Sequence, residues 1–317
     1  MTHYQTTGSN FPSSPTPSPP TQQSPPNVQL RKLLAEAETR LTDHGVDPAR
    51  LDAETLLAHT LMIERTRLLA RLSSPISPVE QEIFQHLIER RSQREPLAYI
   101  TGKREFWSRE FFVTPAVLIP RPETEFLVET TLQLVAQANA NVSQSPMRIL
   151  DIGTGSGCIA VTLAKELPSA ELWAVDLSSA ALSIAAKNAQ HHGVDTRIRF
   201  LQGDLFSSLN EDLFFDIIVS NPPYIPRGDL AALQQEVRDW EPQTALDGGK
   251  DGLAFYRRLV SESSARLRAS GWLIMELGAG QYSTVLHFIQ ARSDFQESFC
   301  MQDYAGFDRV VAMRSCA

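Results

Sequence analysis

The sequence predicts an α/β protein, a largely parallel sheet with helices on both faces, preceded by a small helical bundle. Two observations predict the sheet. Beyond about residue 120, strand-like apolar runs alternate with helical runs to the end of the chain, the pattern of a parallel sheet crossed over by helices. Four of those runs also end in glycine or in a polar side chain, as strands that feed a ligand site do. A third observation predicts the bundle: residues 28–95 carry apolar side chains at helical spacing. The chain has 317 residues, 42% hydrophobic and 21% charged, enough for more than one domain of roughly 100–200 residues. A wholly disordered or fibrous protein is excluded.

The elements follow in chain order. Residues 1–27 hold 7 of the 20 prolines among Ser, Thr and Gln, with no Asp, Glu, Lys or Arg. Such a segment buries too little apolar area to offset its ordering entropy and reads as a disordered tail. In residues 28–95, Leu30, Leu33, Leu34, Ala37 and Leu41 recur at three- and four-residue spacing. Asp47-Pro48 reads as a cap followed by proline at the first helical position, and Ser77-Pro78-Val79-Glu80 has the form of a capping box. Residues 96–119 turn aromatic and β-branched around Tyr99-Ile100-Thr101-Gly102 and Phe111-Phe112-Val113, which reads as a β-hairpin linking two domains. Residues 120–317 make the sheet domain.

Composition narrows the function. Charges interrupt every apolar run well short of the roughly 18 residues of a membrane span, so no membrane association is expected. No secretory signal is visible, and the 3 cysteines form no CxxC pair, which suits a reduced, cytoplasmic protein. The 7 histidines show no ligand spacing, so no metal is expected; His191 and His192 read as solvated residues at a helix end. Net charge is −8; residues 31–95 hold 10 basic and 11 acidic residues, and the remainder 19 and 26. An acidic sheet domain suits a cationic cofactor or a basic protein partner better than duplex nucleic acid, which calls for a basic stripe.

The strand ends carry the chemistry. Arg148-Ile-Leu-Asp-Ile152 runs into Gly153-Thr154-Gly155-Ser156-Gly157, Glu171-Leu-Trp-Ala-Val175 into Asp176, Ile198-Arg-Phe-Leu-Gln202 into Gly203-Asp204, and Asp216-Ile-Ile-Val-Ser220 into Asn221-Pro222-Pro223-Tyr224. The glycines let backbone approach a ligand closely. The loop departs from a dinucleotide fingerprint, because Cys158 stands at its final position. Asp176, 23 residues after Gly153, stands where a carboxylate accepts the ribose hydroxyls of a nucleoside, or else caps a turn at the surface. Asp204 either bonds an adenine amino group or caps the following turn.

Asn221-Pro222-Pro223-Tyr224 is the most specific element. Pro222 restricts Asn221 to extended geometry, and the two prolines stiffen the loop. The Asn221 side-chain oxygen and the Pro222 carbonyl can hold the two hydrogens of a planar –NH2 group, turning its lone pair toward an electrophile without a strong base. Tyr224 can stack on the flat group.

With these residues the chain resembles the S-adenosylmethionine-dependent methyltransferases, and among them the release factor glutamine methyltransferases of the HemK/PrmC family. Four segments carry the resemblance: Glu95-Pro-Leu-Ala-Tyr-Ile-Thr-Gly with Glu105-Phe-Trp, Leu118-Ile-Pro-Arg-Pro-Glu-Thr-Glu125, Asp151-Ile-Gly-Thr-Gly-Ser-Gly157, and Asn221-Pro-Pro-Tyr224. The match spans about residues 28–314. It implies a seven-stranded, mostly parallel, Rossmann-like methyltransferase sheet with an N-terminal helical substrate-recognition domain. Gly153 to Gly157 with Asp176, Asp204, Leu205 and Asn221 would hold S-adenosylmethionine, and Asn221 with Pro222 would also hold the glutamine amide. Relatives often place an aromatic residue over the adenine after the aspartate; here Leu205 precedes Phe206, and either can cover it. The resemblance further implies N5-methylation of the glutamine in the Gly-Gly-Gln motif of class I peptide chain release factors by a monomeric enzyme.

Rival readings share parts of the pattern. A ribosomal-protein glutamine methyltransferase would keep both the glycine loop and Asn221-Pro-Pro-Tyr224. An adenine-N6 methyltransferase presents the same amino geometry but needs a basic groove. A non-catalytic adaptor would keep the glycine loop alone. Arg121, Glu123 and Glu125 are either ordinary helix-start residues, with acids in the first turn, or part of the active-site closure.

Overall fold

The computed structural model describes residues 1–3, 29–138 and 146–316. The tail expected over residues 1–27 lies, beyond its first three residues, outside the described residues.

The helical unit comprises α1 (Leu30–Asp43), α2 (Ala49–Thr60), the short α3 (Arg65–Leu69) and α4 (Pro78–Ser92). Leu30, Leu33, Leu34, Ala37 and Leu41 all point inward. They meet Leu56, Leu57, Leu68, Phe84 and Ile88 in one core, where each fully buried aliphatic side chain contributes roughly 1.5–3 kcal/mol. The Ser77–Glu80 capping box forms: the Glu80 N–H donates to Ser77 Oγ at 3.2 Å, and the Ser77 N–H to Glu80 Oε2 at 3.0 Å. The other predicted cap shifts by one residue. Pro48 has an extended ψ of 110° and is itself the N-cap, so α2 begins at Ala49 and Asp47 stands outside it.

The linker also needs correcting, because only part of it is hairpin. Leu97–Thr101 is a one-turn helix, α5, ended by Gly102 at φ 74°. Its strand-like residues serve packing: Ile100 joins the helical core, and Tyr99 joins a small cluster with Val113, Val117 and Ile119. The hairpin is confined to β1 (Lys103–Phe106) and β2 (Arg109–Phe112). Its two turn residues, Trp107 and Ser108, both sit at φ 53°, the left-handed geometry a two-residue hairpin turn demands.

In the sheet domain α6 (Glu125–Ala138), α7 (Cys158–Glu166), α8 (Ser179–His191), α9 (Gln235–Trp240), α10 (Ala254–Glu262) and α11 (Tyr282–Gln290) alternate with seven strands. These are β3 (Arg148–Ile152), β4 (Glu171–Asp176), β5 (Ile198–Gln202), β6 (Phe215–Ser220), β7 (Leu267–Glu276), β8 (Phe295–Gln302) and β9 (Asp308–Ser315). The order is β5-β4-β3-β6-β7-β9-β8, with β9 antiparallel to both neighbours and the other pairings parallel. The seven-stranded, mostly parallel sheet expected from the sequence is therefore present.

Alternation along the strands builds two cores. Ile149, Leu172, Ala174, Ile217 and Val219 pack with Ile159 and Val161 of α7 and with Phe106 and Phe111 of the hairpin. Leu150, Ile152, Val175, Ile218 and Leu273 pack with Tyr256 and Leu259 of α10 and Val285 of α11. The chain lays down β3, β4 and β5 toward one edge, then returns to place β6 and β7 on the other side of β3. At such a reversal the loops leaving two adjacent strands diverge and open a crevice.

Candidate active site

Strand register lines up the residues at the carboxyl edge. Asp176 pairs with Gln202, Ile152 with both Val175 and Ser220, and Ser220 with Met275. One residue further along, Gly153 lies between Asp176 and Asn221, and Asn221 between Gly153 and Glu276. Sequence reading finds the first members of this row but misses Glu276. Trp272-Leu-Ile-Met-Glu276 obeys the same rule, an apolar strand ending in a polar group, and that rule would have found it.

The glycine loop, leaving β3, is tied to the end of the neighbouring strand β4. The Gly153 and Thr154 N–H groups both donate to the Val175 carbonyl, at 2.8 and 3.1 Å. Gly153, Gly155 and Gly157 take φ of 74°, 55° and 80°. A Cβ at Gly157 would lie 3.0 Å from that of Ala185, so glycine there lets α7 and α8 approach; at Gly153 a Cβ would meet no protein atom within 4 Å. The loop is thus closed on its helix side and open on the other. Thr154 and Ser156 are buried, which leaves mainly backbone for a ligand. Asp176, half-buried, accepts from the Gly155 N–H through Oδ2 at 2.8 Å and from the Ser178 N–H through Oδ1 at 2.9 Å.

Beneath the loop, Asp151 is fully buried and accepts the Thr154 hydroxyl at 2.7 Å. Its other oxygen makes no side-chain hydrogen bond among the described residues, while the Ala160 N–H of α7 also favours the ionised carboxyl. Burial pushes this carboxyl up to about 7 against the Thr154 bond, with the Asp176 charge adding to the rise.

Asn221 is half-buried and Pro222 buried. Asn221 Nδ2 donates to Thr124 Oγ1 at 3.0 Å, and the Thr124 hydroxyl donates to Glu276 Oε2 at 2.6 Å. Glu276 is buried, and burial pushes it up to about 7, the Thr124 bond opposing and the Glu123 charge adding. Tyr224 is fixed through its backbone, its carbonyl accepting from Gln281 Nε2 at 2.9 Å. Gly248 lies so close to the Tyr224 backbone that a Cβ would come within 2.8 Å of it.

Other expected residues fall as follows. The Asp204 carboxylate faces Arg258 of α10 at 2.9 Å with both side chains exposed, and its N–H donates to Ser207 Oγ at 2.9 Å. Leu205 and Phe206 are both buried in the core on the α10 side of the sheet. Arg121 pairs with buried Glu241, which also accepts the Ile119 N–H. Glu125 accepts the Trp107 N–H at 2.7 Å and so ties the hairpin turn to α6. His191 and His192 do more than face solvent, lying 5.0 and 4.9 Å from the Phe112 and Phe111 rings. A groove of about 470 Å³ lined by Trp107, Ser108, Arg109, Glu125 and Glu166 sits at the hairpin turn, and no residue of the strand-end row lines it.

Two couplings invisible in the sequence tie the other elements to this edge. Asn188 of α8, fully buried, exchanges hydrogen bonds with the Phe112 backbone and donates to the Ser156 carbonyl at 2.8 Å, joining hairpin to glycine loop. Arg91 in the last turn of α4 and Arg94 just beyond it reach Glu236 of α9 at 3.0 and 2.6 Å, joining the helical unit to the segment that follows Tyr224.

Comparison with known proteins decides what this arrangement is. A model described as the PrmC N-terminal domain matches residues 32–102, and the methyltransferase small domain matches residues 127–237. The release factor glutamine methyltransferase of Geobacter sulfurreducens is 47% identical over 285 residues, covering 90% of this chain and 96% of that protein. The chain belongs to the release factor glutamine methyltransferase family. A second member, from Moorella thermoacetica, is 43% identical over 282 residues, with coverage of 89% and 97%. The solved hMettl16 catalytic domain, in complex with MAT2A 3'UTR hairpin 6, aligns with a TM-score of 0.52 at 18% identity, covering 65% of this chain and 75% of that one. That likeness is one of fold. The chain is therefore an enzyme, a methyltransferase of this family.

Proposed function

We propose that this methyltransferase moves a methyl group from S-adenosylmethionine to the N5 nitrogen of the glutamine in the Gly-Gly-Gln motif of class I peptide chain release factors, working as a cytoplasmic monomer. Residues 28–95 would recognise the substrate, 96–119 would link, and 120–317 would carry the chemistry. The row that sets Gly153 between Asp176 on one side and Asn221 on the other supports this reading most directly. The residues fit the cofactor: the open side of Gly153 admits a ligand, and each Asp176 oxygen, holding one N–H, keeps a lone pair for a ribose hydroxyl. Asp204 and Leu205, or Phe206 in its place, would bound the adenine. Bound there, S-adenosylmethionine supplies a methyl group on a cationic sulfonium, which the acidic sheet domain favours.

The protein's own task is orientation. An amide nitrogen is a weak nucleophile because its lone pair is delocalised. Asn221 Oδ1 and the Pro222 carbonyl, accepting both amide hydrogens, draw density toward nitrogen and aim its lone pair; Pro223 stiffens the loop and Tyr224 stacks on the amide plane. Rate then comes from proximity and preorganised dipoles. Asn221→Ala should keep cofactor affinity by calorimetry while cutting kcat at least ~10²-fold. Mass spectrometry of release factors, ribosomal proteins and adenine-containing DNA after incubation with labelled cofactor checks the substrate. Full activity in Asn221→Ala, or methyl transfer to DNA and not to release factor, would falsify this function.

A further inference from the structure

Asn221 must offer its carbonyl oxygen, not its nitrogen, to a substrate –NH2 group. Turned end for end, it would set donor against donor, and nothing within an asparagine side chain chooses between the two orientations. Two residues outside the loop make that choice. Thr124 has one hydroxyl proton, and Glu276 Oε2 takes it at 2.6 Å, a short charge-assisted bond when the acid is ionised. The lone pairs left on Thr124 Oγ1 face Asn221 at 3.0 Å, and only Nδ2 can meet them. Glu276 is 1% and Thr124 2% exposed, so water does not compete for these bonds.

We propose that Glu276 and Thr124 are positioning residues that lock the Asn221 amide with its oxygen turned toward the substrate nitrogen, an inference that rests on the glutamine-methylation reading above. The direction of the chain depends on the acid. An ionised Glu276 can only accept, which fixes every bond. A protonated Glu276 can itself donate to Thr124, and the threonine proton is then free to turn toward Asn221 Oδ1. The titratable groups around Glu276 are Glu123 before α6, Arg309 on β9, Tyr224 after β6, Tyr256 on α10 and Cys158 on α7. Burial, reinforced by Glu123 and opposed by the Thr124 bond, by Arg309 and by the Asn221 amide itself, pushes Glu276 up to about 7, so the lock should engage as pH rises through that region.

The test is methylation of an intact release factor by the full-length protein, comparing wild type with Thr124→Val, Thr124→Ser and Glu276→Gln. Thr124→Val should lower kcat roughly 10- to 100-fold, with KM for the release factor and cofactor affinity little changed. Thr124→Ser should recover most of the loss. Wild-type kcat should climb between about pH 6 and about pH 8, and Glu276→Gln should flatten that climb. Unaltered kcat in Thr124→Val, or a loss that appears only together with lost cofactor affinity, would overturn the lock while leaving the glutamine reading intact. If Thr124→Val does not fold, the Glu276→Gln profile decides: an unchanged climb overturns the lock. A wild type that does not methylate release factor would sink the underlying reading instead.

Discussion

Asp52 and Glu54 in the helical unit are buried much as Asp151 and Glu276 are in the sheet domain, yet their partners differ. Arg91 meets Asp52 at 2.7 Å; Arg50 and Arg65 meet Glu54 at 2.6 and 2.9 Å. Burial raises Glu54, but the two guanidinium groups bring it below its ordinary value. Asp151 and Glu276 instead accept threonine hydroxyls and are pushed up to about 7. At Glu54 the guanidinium groups favour the ionised form, whereas the hydroxyls at Asp151 and Glu276 leave those acids close to gaining a proton. The first arrangement joins helices and domains; the second surrounds the reacting edge.

The contrast breaks most readily at Arg91, which is 5% exposed and reaches both Asp52 and Glu236. Arg91→Ala strands buried Asp52 without its cation and should cost about 3–5 kcal/mol in chemical denaturation. A loss below about 1 kcal/mol would mean that the pairing does not hold the helical unit together.

Asp151 sharpens the other side through its sign. Its carboxyl is raised from 3.8 to about 7 on folding. The stability it contributes is complete below its unfolded value and lost as pH rises through about 7, because the folded state resists ionisation. Asp151→Asn should therefore gain on wild type in melting temperature as pH goes from about 5 to about 8. A difference that does not change with pH would show that the charge is not what burial opposes. The smallest effect is expected at Arg258, whose pair with Asp204 is exposed at both ends. Arg258→Ala should change stability by no more than about 1 kcal/mol, and a larger loss would show that an exposed pair in the sheet domain carries structural weight.

Much of the fold was legible because strand ends and helical spacing are local signals. The four strands read from sequence lie within one residue of those observed. Leu97–Thr101 misled because its aromatic and β-branched residues, Tyr99, Ile100 and Thr101, carry no helical period over so short a run, and it is the docking of Ile100 and Tyr99 into two cores that settles their conformation. Within the site, Asn221 and the glycine loop could be found because their chemistry is contiguous. Thr124 could not, since it sits among residues that read as a helix start and gains its role only by contact with Asn221, 97 positions away. Asn188 was hidden for the same reason, as its partners are backbone groups of distant segments.

That separation has a consequence for how activity appears during folding. Thr124 and Glu276 are 152 positions apart, and contacts so distant in sequence form only after much of the loop entropy between them has been lost. A chain ending before β7 would keep the glycine loop and the whole of Asn221-Pro-Pro-Tyr224 yet lack the acid that orients them. Methyl transfer therefore reports the closure of the sheet out to its fifth strand, and a partly folded chain that already holds the glycine loop remains unable to aim the amide.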